Sequence, residues 1–338
     1  MMLTRRTLAG SALAVAFTAS LPLTVLAAQK LTVKSVGSDR KVSEVELPAD
    51  PKRIAALDPS VLENLQFLGV GDRVVAAVRP ETLSWLAPLP AGAVTIESMK
   101  TVDVPAVKAT NPDVIFISGR ISRAAAEFSA VAPTACLVVD YARGAWATYT
   151  ENLTALARLF GQNAEAKAKD ALARDEKRVA AIKAKAAGEK IAILMMIGGS
   201  VFPLADGGRC SLLTDALGFV NVKPRPTEPA EPRKKGPAPG ERKKPTDAEI
   251  AAGNRKTFEA LRDLAPSRIF VLNKDAAVGV KGAKAFADAV KDDPVWAALP
   301  AVKAGRVTEL TGSAWYLGEG GVASTGRMLA DVEKALGL

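Results

Sequence analysis

Apolar residues along the chain fall into short unbroken runs separated by longer amphipathic stretches, the pattern of buried parallel strands alternating with helices. One such unit occurs twice. Around Pro112 the chain reads AVKATNPDVIFISGR, and around Pro266 it reads ALRDLAPSRIFVLNK. Ile115-Phe116 matches Ile269-Phe270, Lys108 matches Arg262 and Arg120 matches Lys274, all at one offset of 154 residues. Each copy predicts a short helix, a proline stop, a buried strand and a basic residue just past the strand's C-terminal end. A looser match precedes each copy: Arg53-Ile54-Ala55-Ala56-Leu57 resembles Lys190-Ile191-Ala192-Ile193-Leu194, and each is followed by a helix-like segment ending in Leu68-Gly69 or Leu217-Gly218. The expected architecture is α/β: two Rossmann-like lobes with parallel-rich sheets and a ligand cleft between them.

Between the copies, alanine, lysine, arginine and glutamate run without a break from Asn163 to Gly188. Asn163 reads as an N-cap and Gly188 as the stop. Roughly 25 residues make a rod of almost 40 Å, long enough to join two lobes. The predicted division is an N-terminal lobe at 29–162, a single long connecting helix at 163–188 and a C-terminal lobe at 189–338.

Two segments depart from this pattern. The first, 1–28, carries Arg5 and Arg6 ahead of an apolar stretch from Leu8 to Leu26 and a small-residue cleavage pattern at Val25-Leu26-Ala27. It reads as a cleaved export signal, with Thr4-Arg5-Arg6-Thr7-Leu8 resembling the twin-arginine type. Ser11, Thr18, Ser20, Pro22 and Thr24 interrupt the stretch and make it a poor permanent anchor. No cysteine lies near the cleavage site for a lipid, so a soluble, unanchored periplasmic protein is expected. The second is the tract Lys223 to Pro245, with seven prolines, eight basic and three acidic residues. It has no apolar residue larger than alanine, and it predicts a disordered basic insertion at about 223–256.

The charge then reads differently from its total. Of the net +9 over 338 residues, two charges belong to Arg5 and Arg6 and five to the tract, leaving two for the remainder. No nucleic-acid footprint is expected.

Histidine is absent, which excludes Ser-His-Asp and Cys-His catalysis and imidazole metal ligands. The two cysteines cannot form a Cys₄ zinc site; Cys136 reads as a core residue, and the sequence leaves a disulfide to Cys210 open. No catalytic motif is evident, and no enzyme is expected. Ligands of parallel α/β sheets bind beyond the carboxyl ends of the strands. Arg120 and Lys274 should therefore face each other across the cleft, with Arg209 in the turn Gly207-Gly208-Arg209 as a third cation on the C-terminal wall. Three cations suit a polyanion. Trp315 and Tyr316 precede a Gly318-x-Gly320-Gly321 turn and a helix starting near Val322. The aromatic pair is expected to line the pocket, and Tyr316 as a phenolate has the chemistry to bind a hard metal. The turn itself is weak evidence for phosphate binding.

Six segments in order, among them PKRIAALDPSVLENLQFLGVGDRVVAAV, NPDVIFISGR, GGRCSLLTDALGF and AWYLGEGG, resemble the class III (cluster A) periplasmic substrate-binding proteins of ABC importers, specifically the siderophore-binding, iron–catecholate branch. The resemblance covers nearly all of the chain beyond residue 28 outside the insertion. It implies two lobes joined by one long helix, little closure on binding, and delivery of a ferric siderophore to an inner-membrane permease. It implies ligand contacts from Arg120, Arg209 and Lys274, the last an arginine in relatives, and from Tyr316. Some relatives supply an iron-binding histidine after the GF motif. This chain has none, so a hexadentate chelate that needs no protein ligand is implied. Relatives dock on the permease through an acidic residue on each lobe. Glu259 matches the C-terminal one, whereas the N-terminal equivalent is Pro105, so that contact is lost or moved, with Asp103 and Glu97 as the candidates.

The leading expectation is thus a monomeric periplasmic protein without a cofactor that binds an anionic Fe(III)–siderophore, catecholate or mixed-ligand. Haem or a corrinoid is the alternative within the fold, with Tyr316 as an axial ligand for haem. A protein whose basic loop touches anionic surfaces is the alternative of another class.

Overall fold

The computed structural model describes residues 29–97, 100–101, 103–224 and 245–338. The expected export signal and most of the basic tract lie outside the described residues. Among the described residues, no helix is long and apolar enough to cross a membrane.

An antiparallel hairpin comes first, β1 (Lys30–Val36) on β2 (Val42–Pro48), with Val33 opposite Val45. Its pattern is the two-residue alternation of a half-buried ribbon. Val33, Val36 and Leu47 are buried, and Lys30, Glu44 and Glu46 face outwards. The reading for helix-and-strand repeats passed over this element.

Five parallel strands follow: β3 (Ile54–Leu57), β4 (Val74–Ala77), β5 (Val94–Thr95), β6 (Val114–Ile117) and β7 (Thr134–Ala135), in the order β5-β4-β3-β6-β7. The second large sheet contains β8 (Lys190–Ile197), β9 (Ser200–Pro203), β10 (Val220–Asn221), β11 (Arg268–Asn273) and β12 (Val307–Glu309). Its parallel order is β10-β8-β11-β12, with β9 folded back antiparallel on β8. The repeated unit occupies the same place in both sheets. β6 lies beside β3 with Val114 opposite Ile54, and β11 lies beside β8 with Arg268 opposite Ile191. Every residue of β3, β6 and β11 is buried, because helices cover both faces, and this produces runs rather than alternation. Strand order reverses between β3 and β6 and again between β8 and β11, so a crevice opens at the carboxyl end of each pair.

The connecting helix runs Gln162–Ala186, 25 residues and about 37 Å. Its limits differ slightly from the expected ones. Gly161, at φ 78°, precedes the first helical residue, so Asn163 lies inside the first turn and caps nothing. At the other end Ala187 already adopts the left-handed conformation, one residue before Gly188. Ala164, Ala168 and Ala171 pack into the core of the first sheet, and Val179, Ile182 and Ala186 into that of the second. One helical face thus serves two cores, at i, i+4, i+7 spacing in the first set and i, i+3, i+7 in the second.

The C-terminal helix Val322–Leu336 returns to both. Val322 belongs to the first core, whereas Met328, Leu329 and Val332 belong to the second. Arg178 of the connecting helix holds Glu333 through two bonds of 2.7 and 2.8 Å.

The expected insertion is shorter than 223–256. Residues 247–256 are helical, the first part of Asp247–Leu264, whose start is set by a capping box between Thr246 and Glu249. Phe258 and Leu261 anchor this helix in the core, so its polar first half propagates from a packed second half.

Candidate functional site

The carboxyl ends of the two sheets meet across a cleft of about 810 Å³, lined by Arg79, Glu81, Glu97, Arg120, Lys274 and Tyr316 among others. Arg120 follows β6 and Lys274 follows β11, so the internal repeat does place equivalent cations on opposite walls. Their surroundings differ. Arg120 is exposed and makes no ion pair among the described residues. Its Nη2 donates to the Tyr316 carbonyl at 3.4 Å, and its guanidinium lies 5.3 Å from the centre of the Tyr316 ring. Lys274 is half-buried and pairs with Asp275 at 3.2 Å, whose other oxygen accepts the Gly198 N–H.

Arg209 lines an adjoining pocket of about 210 Å³ that shares Arg120, Tyr316 and Leu317 with the cleft. Its Nη1 donates to the carbonyls of Trp315 at 3.0 Å and Tyr316 at 3.2 Å, and its guanidinium lies 4.2 Å from the Tyr316 ring centre. The ring therefore holds two guanidiniums by cation–π attraction.

Glu319 also lines this pocket. Its Oε2 lies 3.8 Å from Arg209 Nη1 and accepts a hydrogen bond from the Tyr141 hydroxyl, whereas its Oε1 is buried without a partner. Burial pushes the Glu319 carboxyl above its ordinary range, against the pull of Arg209 and Tyr141. Burial also raises Asp58, at the end of β3, where the carboxylate caps the helix Pro59–Leu68 through the Ser60 N–H at 2.8 Å. Ser118, after β6, adds a buried hydroxyl without a partner to this pocket. Sequence reading singled out none of Glu319, Tyr141, Asp58 and Ser118, because their significance lies in partners far along the chain.

Trp315 does not line the site. It is fully buried in the second core, where its Nε1–H donates to Asp331 at 2.9 Å. Trp315 and Tyr316 share the short helix Gly312–Tyr316, and neighbours on a helix point about 100° apart, so only one can face the cleft.

The glycine turn is an internal seam. Glu63, from the helix Pro59–Leu68, accepts from the Ser324 N–H, the Ser324 hydroxyl and the Trp85 indole, each at 2.7 Å. Asn64 beside it donates to the Gly320 carbonyl at 3.0 Å and accepts the Val322 N–H at 2.9 Å. A Cβ at position 321 would stand 2.2 Å from Glu63 Oε1, which is why glycine is required there. The N-terminus of the last helix is thus filled by a carboxylate of the same chain.

The acidic candidates separate. Glu259 is exposed on the helix Asp247–Leu264, Asp103 caps the helix Val104–Ala109 through the Ala106 N–H at 3.1 Å, and Glu97 lines the cleft. Cys136 and Cys210 are buried free thiols; burial pushes Cys136 up to about 12, and Cys210 is also raised. Among the described residues, no cluster of three His, Cys, Asp or Glu could hold a metal ion.

Comparison with known proteins places this architecture. The petrobactin-binding protein YclQ of Bacillus subtilis (strain 168) is 27% identical over 326 residues, covering 90% of this chain and 92% of its own. A TroA-like periplasmic binding protein from Xylanimonas cellulosilytica superimposes with a TM-score of 0.71 at 27% identity, covering 92% of this chain and all of its own. The iron-uptake ABC transporter substrate-binding protein PiuA of Streptococcus pneumoniae does so with a TM-score of 0.71 at 25% identity, covering 91% of this chain and 99% of its own. The sequence profile of the periplasmic binding proteins matches residues 54–314, from the first strand of one sheet to the short helix that presents Tyr316 in the cleft, and the chain belongs to that family.

Proposed function

We propose that the protein captures an anionic ferric siderophore, of catecholate or mixed-ligand type, in the cleft between lobes 29–162 and 189–338 and delivers it to the permease of an ABC importer. The observation that carries this reading is the cleft itself, with Arg120 and Lys274 on opposite walls and Tyr316 between them. Guanidinium and ammonium groups around an aromatic surface suit a bulky chelate with negative charge and flat rings. The petrobactin-binding relative, similar along nearly its whole length, supports the same class of ligand. Without an imidazole in the chain, a hexadentate chelate that satisfies Fe(III) alone is the fitting cargo. Export through residues 1–28 would deliver the protein to the periplasm. Glu259 is the exposed carboxylate for permease docking on the second lobe, with Asp103 or Glu97 on the first.

The test is a binding titration with the Fe(III) complex of a synthetic hexadentate tris-catecholamide, a mixed catecholate–hydroxycarboxylate Fe(III) complex, haem and cobalamin. Saturable binding of a ferric chelate, with none of haem or cobalamin, is expected. Binding of haem or cobalamin alone, or of nothing in the panel, overturns the reading.

A further inference from the structure

The cleft holds a cation to which neither the internal repeat nor the motifs point. Strand β4 ends at Ala77, Val78 prolongs it by donating to the Ala56 carbonyl at 3.1 Å, and Arg79 follows directly. Arg79 thus stands as Arg120 does after β6 and Lys274 after β11, beyond the carboxyl end of a parallel strand, and all three line the cleft. Pro80 restricts it from the other side, because the residue before a proline is kept extended. β4 and β6 flank β3 in the sheet, so two strand spacings, about 10 Å, separate the strand ends that carry Arg79 and Arg120.

The Arg79 side chain is half-buried, and its guanidinium is clamped. Nε donates to the Ala87 carbonyl at 3.0 Å and Nη2 to the Leu86 carbonyl at 2.7 Å. Leu86 is buried in the first core, and Ala87 is fixed by Gln66, which donates to its carbonyl and accepts its N–H, both at 3.0 Å. The two bonds from Arg79 occupy one edge of the guanidinium and leave three N–H groups, two on Nη1 and one on Nη2. Among the described residues Arg79 makes no other side-chain hydrogen bond and no ion pair. Glu81 and Glu97 also line the cleft, but both are exposed and neither pairs with it. The contrast with the other two walls is clear: Lys274 has Asp275 as a counter-ion, and Arg120 is exposed with one long bond to a carbonyl. Arg79 combines a fixed position with an uncompensated charge.

We infer that Arg79 is a further ligand-contacting residue, a pre-positioned guanidinium that binds a second anionic group of the chelate held by Arg120. The inference rests on the function proposed above. Bonds to carbonyls neutralise no charge, so the guanidinium remains a full cation and gains its counter-ion when an anion enters. The freedom of this long side chain is lost on folding rather than on binding, which favours affinity. The turn itself does not require a cation, since the neutral amide of Gln66 already holds the same Ala87 carbonyl. Two guanidiniums on strand ends about 10 Å apart suit a bulky chelate that carries negative charge on more than one arm.

The experiment is equilibrium titration of wild-type protein, Arg79→Gln and Arg79→Lys with the Fe(III) complex of a synthetic hexadentate tris-catecholamide, at low and at high salt. Arg79→Gln should lose about tenfold to a hundredfold in affinity, the range for a hydrogen bond to a charged group. Its affinity should also fall less with added salt than that of wild type, since one screened attraction is gone. Arg79→Lys keeps the charge and gives up the clamp, so it should bind more tightly than Arg79→Gln and retain the salt dependence. Three results overturn the inference: affinity of Arg79→Gln within about twofold of wild type, a loss with unchanged salt dependence, or Arg79→Lys no tighter than Arg79→Gln. The second would make Arg79 a clamp for the turn and nothing more. If the variants do not fold, wild-type protein carries the test. Saturation with the chelate should then protect Arg79 from a guanidinium-selective dicarbonyl reagent, read by mass spectrometry, and equal labelling with and without chelate overturns the inference. Failure of wild-type protein to bind any ferric chelate strikes the proposed function instead, whereas binding that Arg79→Gln leaves intact strikes only this inference.

Discussion

Two carboxylates lie against the turn from Gly318 to Gly321, Glu63 from the first lobe and Glu319 from the turn itself. Both are buried, and burial raises both above the ordinary carboxyl range. Glu63 accepts three hydrogen bonds of 2.7 Å, and glycine at 321 lets the backbone close around it. Glu319, two residues away in the turn, has one oxygen bonded and one orphaned beside an arginine with other obligations. The satisfied carboxylate makes a joint between the lobes, whereas Glu319 keeps one oxygen without a partner. A glycine-rich turn that offers weak evidence for phosphate binding is instead an internal joint.

The comparison breaks most sharply at Glu63. Glu63→Ala leaves three donors without an acceptor in a closed site and should cost about 3 kcal/mol of stability, read as a lower denaturant midpoint. Glu319→Gln should stay within about 0.5 kcal/mol of wild type. Equal losses would show that both carboxylates are structural. A smaller effect tests the two cleft walls. Arg120→Ala should weaken the ferric tris-catecholamide complex by about 1.5–3 kcal/mol, the range for hydrogen bonds to charged groups. Lys274→Ala should cost less, because the ammonium is already paired with Asp275; an equal loss in equilibrium titration would make the walls equivalent after all. The smallest effect concerns Trp315→Phe. Loss of the bond to Asp331 should cost about 1 kcal/mol in stability and leave affinity unchanged. A change in affinity alone would return Trp315 to the site.

Much of the fold was legible because its signals are local. The 154-residue offset joining Arg120 to Lys274 located two strands and two cation positions, and uniform burial of β6 and β11 explains why they read as runs. The connecting helix was legible to within two residues, since alanines at its buried positions and charges elsewhere leave little other choice. The end of the insertion was legible in principle. Thr246 and Glu249 spell a capping box, but composition alone extended the tract past it. The site was less legible. Tyr316 stands out by its motif, yet which of two adjacent aromatics faces the cleft depends on the phase of a five-residue helix. Arg209, Tyr141 and Glu319 are separated by tens to well over a hundred residues. No spacing rule connects a carboxylate to a guanidinium brought under it by the packing of two lobes.

The seam at Glu63 and Asn64 also bears on how a permease would recognise a loaded molecule. Four hydrogen bonds tie the first lobe to the start of the last helix, and the connecting helix spans both cores on the other side. At about 1 kcal/mol each, a form with this seam open would be about a thousandfold rarer than the joined one. Thermal motion therefore rarely presents a wide-open mouth, and occupancy has little change of shape through which to announce itself. Under the proposed function, what would change is the field: an anion seated over Arg120 and Lys274 would invert the local potential at the rim. A transporter facing this protein would be reading electrostatic contrast rather than the angle between lobes.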